Sequence, residues 1–103
     1  MAITVNLRYT GENGNARRFA EEMTESGTVA AIRAEAGNLR YEYYLSIDDP
    51  ETVLLIDQWR DQAAIDAHHA SPLMQTMLHK GRAFSATGAL RISYSSINAA
   101  AAA

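Results

Sequence analysis

The chain has 103 residues and a mass of 11.3 kDa, which is the size of a single domain. Its composition is 48% hydrophobic and 20% charged, which excludes a disordered chain. The net charge is −3 and no basic block occurs, so we expect neither nucleic acid nor an anionic membrane surface as a partner. The absence of cysteine excludes disulfides and thiolate metal sites.

The first part of the chain predicts a strand and then helical residues. Apolar and polar residues alternate over residues 2–9, which is the period of a strand. A turn rich in Gly and Asn follows, and Asn15 at its end can cap a helix. Apolar residues at helical spacing then predict either one kinked helix over residues 15–36 or two short helices separated near Gly27.

The middle of the chain predicts a β-hairpin. Residues 38–47 and residues 52–59 are both rich in strand-forming side chains. The short segment between them contains Pro50, whose fixed φ angle favours a turn.

The C-terminal part predicts two further helical segments and a last strand. Asp61 can cap a helix that runs to His69. Ser71 can cap the next helix, with Pro72 at its first position. Alternation over residues 89–96 predicts the last strand.

The order β-α-β-β-α-β predicts an α+β, ferredoxin-like fold, in which one antiparallel sheet carries helices on one face. We expect one domain over residues 1–97 and an alanine-rich tail over residues 98–103. The apolar run from Val53 to Ile56 would place apolar side chains on both faces of the sheet, whereas a strand with a solvated face alternates. Leaving several of them exposed would forgo several kcal/mol at roughly 25 cal/mol per Å². The sequence therefore predicts a homodimer that covers the open face.

The sequence offers few groups for catalysis or metal binding. It has no glycine-rich phosphate loop, and the adjacent His68 and His69 would diverge by about 100° on a helix, so we expect no metal site. Ser71 lies three residues after His68, but its position suits a helix cap better than a nucleophile. The chain shows no leader pattern and no long apolar run, so we expect a cytoplasmic protein.

Several polar and aromatic side chains lie at positions where a pocket could form. Asp57 and Trp59 share one face of the third strand, and Asn6 and Arg8 share one face of the first strand. An asparagine inside an apolar strand needs a hydrogen-bond partner, and a mostly apolar cavity with a few polar tips is typical of small-molecule sites. The alternative for Trp59 is a plain core position.

The two adjacent histidines cannot both face the sheet. Either His68 or His69 should point inward, and the other should point to solvent. The inward residue is either a hydrogen-bonded core histidine or a general base that works near neutral pH.

Two segments resemble one known family: residues 59–72, Trp-Arg-Asp-Gln-Ala-Ala-Ile-Asp-Ala-His-His-Ala-Ser-Pro, and residues 35–42, Glu-Ala-Gly-Asn-Leu-Arg-Tyr-Glu. The family is the antibiotic biosynthesis monooxygenase (ABM) domain, which includes small quinol monooxygenase-like proteins. The resemblance covers roughly residues 2–78. It implies a ferredoxin-like fold that dimerises through its sheets as a dimeric α+β barrel.

The resemblance also implies a reaction. It points to a cofactor-independent monooxygenase that oxidises a small aromatic phenol or hydroquinone with O2, without metal, flavin or haem. Such chemistry suits a sparse site, because an electron-rich phenolate can itself reduce O2. The protein then has to bind the ring, handle the proton and exclude water.

The resemblance further implies the site residues. Trp59 would pack against the substrate ring, Asn6 would hydrogen-bond a substrate oxygen or O2, and His68 would accept a proton or orient a water. Three further residues are expected in the pocket wall: Arg8, Tyr41 and Tyr43. Two other functions are open: a non-catalytic dimeric α+β barrel that binds a small apolar ligand, and a haem-binding or haem-degrading protein.

Overall fold

A computed structural model describes the backbone of residues 2–85 and 90–99 and the side chains of residues 2–80. It contains four strands, β1 (Ile3–Gly11), β2 (Asn38–Leu45), β3 (Thr52–Trp59) and β4 (Leu90–Ala99), and four helices, α1 (Asn15–Glu25), α2 (Thr28–Arg33), α3 (Gln62–Ala70) and α4 (Pro72–Ser85). The strands form one antiparallel sheet in the order β2-β3-β1-β4. The predicted α+β, ferredoxin-like architecture is confirmed.

The helical region after β1 consists of two short helices, which was one of the two alternatives. Gly27 separates them with a φ of 84°, a left-handed conformation that favours glycine. The prediction that Asn15 caps α1 is wrong, because Gly14 is the cap and Asn15 is already helical. The carboxylate of Glu51, in the turn between β2 and β3, instead accepts hydrogen bonds from the Asn13 and Gly14 N–H groups at 2.7 and 2.8 Å.

The start of α3 is as predicted, and the start of α4 is so only in part. The Asp61 side chain accepts a hydrogen bond from the Ala64 N–H at 2.9 Å, and Pro72 is the first residue of α4. Ser71 Oγ has no hydrogen-bond partner among the described residues, so its predicted capping bond is not made. The Ser71 carbonyl accepts from the Met74 N–H at 3.0 Å in its place.

Two elements in the last part of the chain are longer than predicted. Helix α4 continues to Ser85, through residues whose sequence pattern is weak. Strand β4 continues to Ala99, which pairs with Ile3, and so includes two residues of the predicted tail. Alanine side chains carry no strand pattern, but the backbone of β1 supplies hydrogen-bond partners whatever the side chain. Residues 100–103 of that tail lie outside the described residues.

The core lies between the sheet and the helices. Its largest fully buried side chains are Trp59, Tyr41, Met23, Ile32, Leu55 and Val53. The opposite side of the sheet, which we name the open face, carries the alternate residues of β1, β2 and β3, the strands whose side chains are described: Thr4, Asn6, Arg8, Arg40, Glu42, Tyr44, Leu54, Ile56 and Gln58. Leu54 and Ile56 remain only half-buried in the single chain. Among the described residues, none of the helices has the length and apolar character that crossing a membrane requires.

Candidate active site

A cavity of about 200 Å³ lies on the helix side of the sheet, between the strands and helices α3 and α4. Its walls are mostly aromatic, aliphatic and methionine side chains: Leu7, Tyr9, Phe19, Tyr41, Asp57, His68, His69, Met74, Met77 and Leu78. Other hollows are lined by exposed, ion-paired side chains such as Arg17 or Arg40. A mostly apolar cavity with a few polar groups is the usual form of a small-molecule site.

Trp59 and His68 meet beside this cavity in a stacked pair. Trp59 ends β3, and Asp61 caps α3 two residues later, so the helix starts at a fixed place relative to the indole. Residues 64 and 68 lie one turn apart on the buried face of α3. The ring centroids of Trp59 and His68 are 4.5 Å apart with an interplanar angle of 28°.

His68 is the inward-facing histidine. Its side chain is 4% exposed, whereas His69 is exposed and touches the cavity from its rim. His68 Nδ1 lies 2.7 Å from Glu35 Oε1, a hydrogen bond that fixes the orientation of the ring. When Nδ1 donates to the carboxylate, Nε2 carries the free lone pair.

Glu35 is a site residue that the sequence reasoning missed. It follows α2 and reaches His68 because the chain then passes very close to α3 at Gly37. A Cβ placed on Gly37 would lie 2.5 Å from the Ala64 Cβ, and its φ is 84°. The signal in the sequence was the Glu-x-Gly spacing of residues 35–37, which carried the family likeness without an assigned role.

Asp57 is a buried carboxylate in the cavity wall. Its side chain is 6% exposed, and Oδ1 has no hydrogen-bond partner among the described residues. A second cavity of about 140 Å³ shares Asp57, Leu7 and His69 with the first. Burial raises the pKa of Asp57 to about 6, while a hydrogen bond with Trp59 acts in the opposite direction.

Tyr41 and Tyr43 lie on the helix side of β2, as a pocket wall requires. Tyr41 lines the cavity, and its hydroxyl donates a hydrogen bond to Met77 Sδ at 3.2 Å. Tyr43 packs edge-on against Tyr41, with ring centroids 5.9 Å apart. Burial raises the pKa of Tyr41 well above its usual value and that of Tyr43 to about 12, so both remain neutral donors near pH 7.

The structure does not bring Asn6 and Arg8 into this cavity. Both lie on the open face, where Asn6 is opposite Ile56 and Arg8 is exposed. Successive residues of a strand point to opposite faces, so the inward position of Leu7 turns both neighbours outward. The sequence placed Asn6 and Arg8 on a common face but did not show which face that was. Within the described part of the chain, no three His, Cys, Asp or Glu side chains form a group that could hold a metal ion.

Comparisons with known proteins agree on the type of domain. The structure is similar to SnoaB, a cofactor-independent oxygenase from Streptomyces nogalater, with a TM-score of 0.76, 19% identity and coverage of 96% of this chain and 92% of that one. It is also similar to PA3566 from Pseudomonas aeruginosa, with a TM-score of 0.68, 26% identity and 90% coverage of each chain.

In sequence, the chain is 30% identical over 54 residues to YcnE from Bacillus subtilis (strain 168). That match covers 52% of this chain and 57% of the relative's length. The sequence profile of the antibiotic biosynthesis monooxygenase family matches residues 2–80, which contain all the described residues of the cavity. The chain therefore belongs to the antibiotic biosynthesis monooxygenase (ABM) family.

Proposed function

We propose that the protein is a cofactor-independent monooxygenase that oxidises a small aromatic phenol or hydroquinone with O2. The observation that carries the proposal is the cavity beside the stacked Trp59 and His68. Its volume of about 200 Å³ suits a small aromatic molecule, since a cavity of roughly 150 Å³ admits benzene. The family supplies the reaction class, and the description of SnoaB as a cofactor-independent oxygenase is compatible with it.

The reaction needs no external reductant. When a phenol becomes a quinone, or a hydroquinone becomes a hydroxyquinone, one oxygen atom of O2 enters the ring, the other leaves as water, and all four electrons come from the substrate. The protein has to hold the ring, weaken the hydroxyl O–H bond and keep bulk water away. A cavity with aromatic and aliphatic walls and a few acid–base groups can hold the ring and receive the proton.

The residue roles in this proposal follow the contacts. Trp59 orients the substrate ring, and His68 accepts a proton or orients a water through Nε2, while Glu35 holds Nδ1. Tyr41 forms part of the cavity wall, with Tyr43 packed behind it. A contact of Asn6 or Arg8 with the substrate stays a prediction, and it would have to be made from the open face of the sheet.

The test is O2 consumption by the purified protein with menadiol, corrected for the spontaneous oxidation of menadiol. We expect turnover that falls at least tenfold in His68→Ala and in Trp59→Ala, because each change removes one ring of the stacked pair. His79→Ala is the matched control, because His79 is an exposed histidine on α4. Full turnover in correctly folded His68→Ala would contradict the assigned role of that residue, and no O2 uptake over a panel of hydroquinones would contradict the function.

A binding protein without catalysis is the second candidate. The observation in its favour is the apolar wall, in which the Tyr41 hydroxyl is engaged by a methionine sulfur. It predicts saturable ligand binding without O2 uptake. The haem alternative has less support, because the cavity is smaller than the roughly 300–1,000 Å³ pockets that hold drug-sized ligands.

A further inference from the structure

We propose that Asp57 determines the specificity of the cavity, and that its Oδ1 accepts a hydrogen bond from the hydroxyl group of the aromatic ligand. This inference deepens the proposed function and rests on it. Through this hydrogen bond, Asp57 on β3 makes the cavity bind a hydroxylated aromatic ring more tightly than a hydrocarbon ring.

The first support is the unsatisfied oxygen. Buried carboxylate oxygens are nearly always hydrogen-bonded, and a buried acceptor without a donor is costly. Asp57 Oδ1 is buried without a partner among the described residues. Among the neighbouring polar groups, the Tyr41 hydroxyl donates to Met77 and His68 Nδ1 is bound to Glu35, while the Tyr43 hydroxyl is, like Oδ1, buried without a partner among the described residues. A ligand hydroxyl would supply the missing donor.

The second support is the place of Asp57 within the cavities. Asp57 lines both of them, so this residue lies where the two spaces meet. The walls around it are apolar side chains of β1 and α4: Leu7, Met74, Met77 and Leu78. In such surroundings, contact with the apolar walls favours binding of an aromatic ring, and a single acceptor favours binding of one hydroxyl group. The arrangement therefore fits a small ring that carries a hydroxyl group.

The chemistry favours the hydroxyl over an isosteric methyl group. A hydrogen bond to a charged acceptor is roughly twice as strong as one between neutral groups. A site built to hydrogen-bond a hydroxyl rejects an analogue without it, because the buried polar group is then left unpaired. The O–H bond is polarised toward Oδ1 without being broken, which raises the electron density of the ring before O2 arrives.

Seven side chains with titratable or hydrogen-bonding groups lie around Asp57 in the described part of the chain: Tyr9 on β1, Tyr41 and Tyr43 on β2, Trp59 on β3, and Gln62, His68 and His69 on α3. The two histidines bring further ionisable groups to the same cavities. A pH effect on binding can therefore be assigned to Asp57 only by comparison with a variant that lacks its carboxylate.

The experiment compares phenol with toluene, which differ by a hydroxyl in place of a methyl group. Trp59 is the single tryptophan, so its fluorescence, excited at the red edge of its absorption, reports binding of either probe. At pH 8 we expect the ratio of the two Kd values to shift toward toluene by at least about tenfold in Asp57→Leu. Asp57→Asn should show a smaller shift. Asp66→Asn removes an exposed acid of α3 and should keep the wild-type ratio.

If Asp57→Leu fails to fold, the pH dependence of ligand binding by the wild type and by Asp57→Asn still tests the inference. The preference of the wild type for phenol should weaken as the pH is lowered from 8 to 5, through the pKa of about 6, and this change should be absent in Asp57→Asn. Equal Kd ratios in wild type and both Asp57 variants would overturn the inference, as would failure of the wild type to bind phenol. An intact phenol preference without O2 uptake would instead contradict the proposed function alone.

Discussion

Asp57 places a carboxylate on the inner side of the sheet, where burial disfavours its charged form. Because burial raises its pKa in the folded state to about 6, above the ordinary value of 3.8, folding binds a proton between these two values. As far as Asp57 is concerned, the free energy of unfolding is therefore highest below about pH 4, where the group is protonated in both states. It falls as the pH rises through about 6, where the buried group loses its proton. The shift corresponds to about 3 kcal/mol at 1.36 kcal/mol per pKa unit.

We expect Asp57→Asn to gain free energy of unfolding relative to wild type as the pH is raised from 4 to 8, by up to about 3 kcal/mol. The asparagine has no charge to desolvate, so it escapes the pH-dependent penalty. Urea denaturation of both proteins at pH 4, 6 and 8 measures the difference. Asp66→Asn, at an exposed position, should track the wild type across the series. A pH-independent difference between Asp57→Asn and wild type would show that the carboxylate is not desolvated.

A buried acid that destabilises the fold at neutral pH needs a reason to be there, and the proposed binding of a ligand hydroxyl provides one. His68 differs from Asp57 in this respect, because its ring is stacked on Trp59 and bonded to Glu35. His68 is therefore already satisfied by the protein, whereas Asp57 Oδ1 is left for a ligand.

At the scale of elements, the position of α3 depends on its contact with the segment before β2. The Gly37 carbonyl accepts a hydrogen bond from the Arg60 N–H at 2.7 Å, and the Gly37 backbone lies against Ala64. This contact sets the distance between Glu35 and His68. Glu35 lies two residues before Gly37, and His68 lies one helical turn after Ala64.

Two glycines with the same φ allow the steric and conformational effects to be separated. Gly27 and Gly37 both have a φ of 84°, but a Cβ on Gly27 would meet nothing within 4 Å. We expect Gly27→Ala to lower the free energy of unfolding by about 1–2 kcal/mol through its φ alone, and Gly37→Ala by a further 1–3 kcal/mol, roughly, through overpacking against Ala64. Thermal or urea denaturation checks this order.

Ala64→Gly in the Gly37→Ala background should recover part of the loss, because it removes the Cβ that the new methyl group would meet. Ala64→Gly alone should cost about 1 kcal/mol of helix stability. Equal losses for Gly27→Ala and Gly37→Ala would show that the chain yields at Gly37 and that the close approach to α3 is not fixed.

The sequence predicted those elements whose signals are local. The alternation in the strands, the Asp61 cap and Pro72 at the start of α4 all act over a few residues, and the structure contains them. Predictions were wrong or incomplete where a distant segment decides. The cap of α1 depends on Glu51 from another turn, and β4 extends to Ala99 because β1 offers its backbone.

The same distinction applies to the candidate site. Trp59 and His68 were proposed together, and the structure stacks them. The grouping of Asn6 with them depended on which face of β1 is covered by the helices, and alternation alone gives two equivalent faces. Glu35 could not be assigned to His68 from the sequence, because the two residues meet only through the close passage at Gly37.

At the scale of the whole molecule, the open face of the sheet bears on assembly. Leu54 and Ile56 lie in its middle, on β3, and a single chain leaves them half-buried, while Tyr44 on the neighbouring strand is 39% exposed. Covering these side chains with a second copy would contribute about 25 cal/mol per Å² of apolar surface removed from water. The polar residues around them, such as Asn6 and Glu42, would then form a rim that pairs across the interface.

We therefore expect a homodimer with a mass of about twice 11.3 kDa by light scattering. Ile56→Lys should shift the mass toward that of one chain, because a buried ammonium group without a partner is costly. Ala31→Lys introduces the same charge on an exposed position of α2 and should leave the dimer intact. A wild-type mass of one chain would contradict the homodimer, and a dimer that persists in Ile56→Lys would place the interface elsewhere. Because association stabilises only the folded chain, the Tm of the wild type should rise with protein concentration, and that of Ile56→Lys should not.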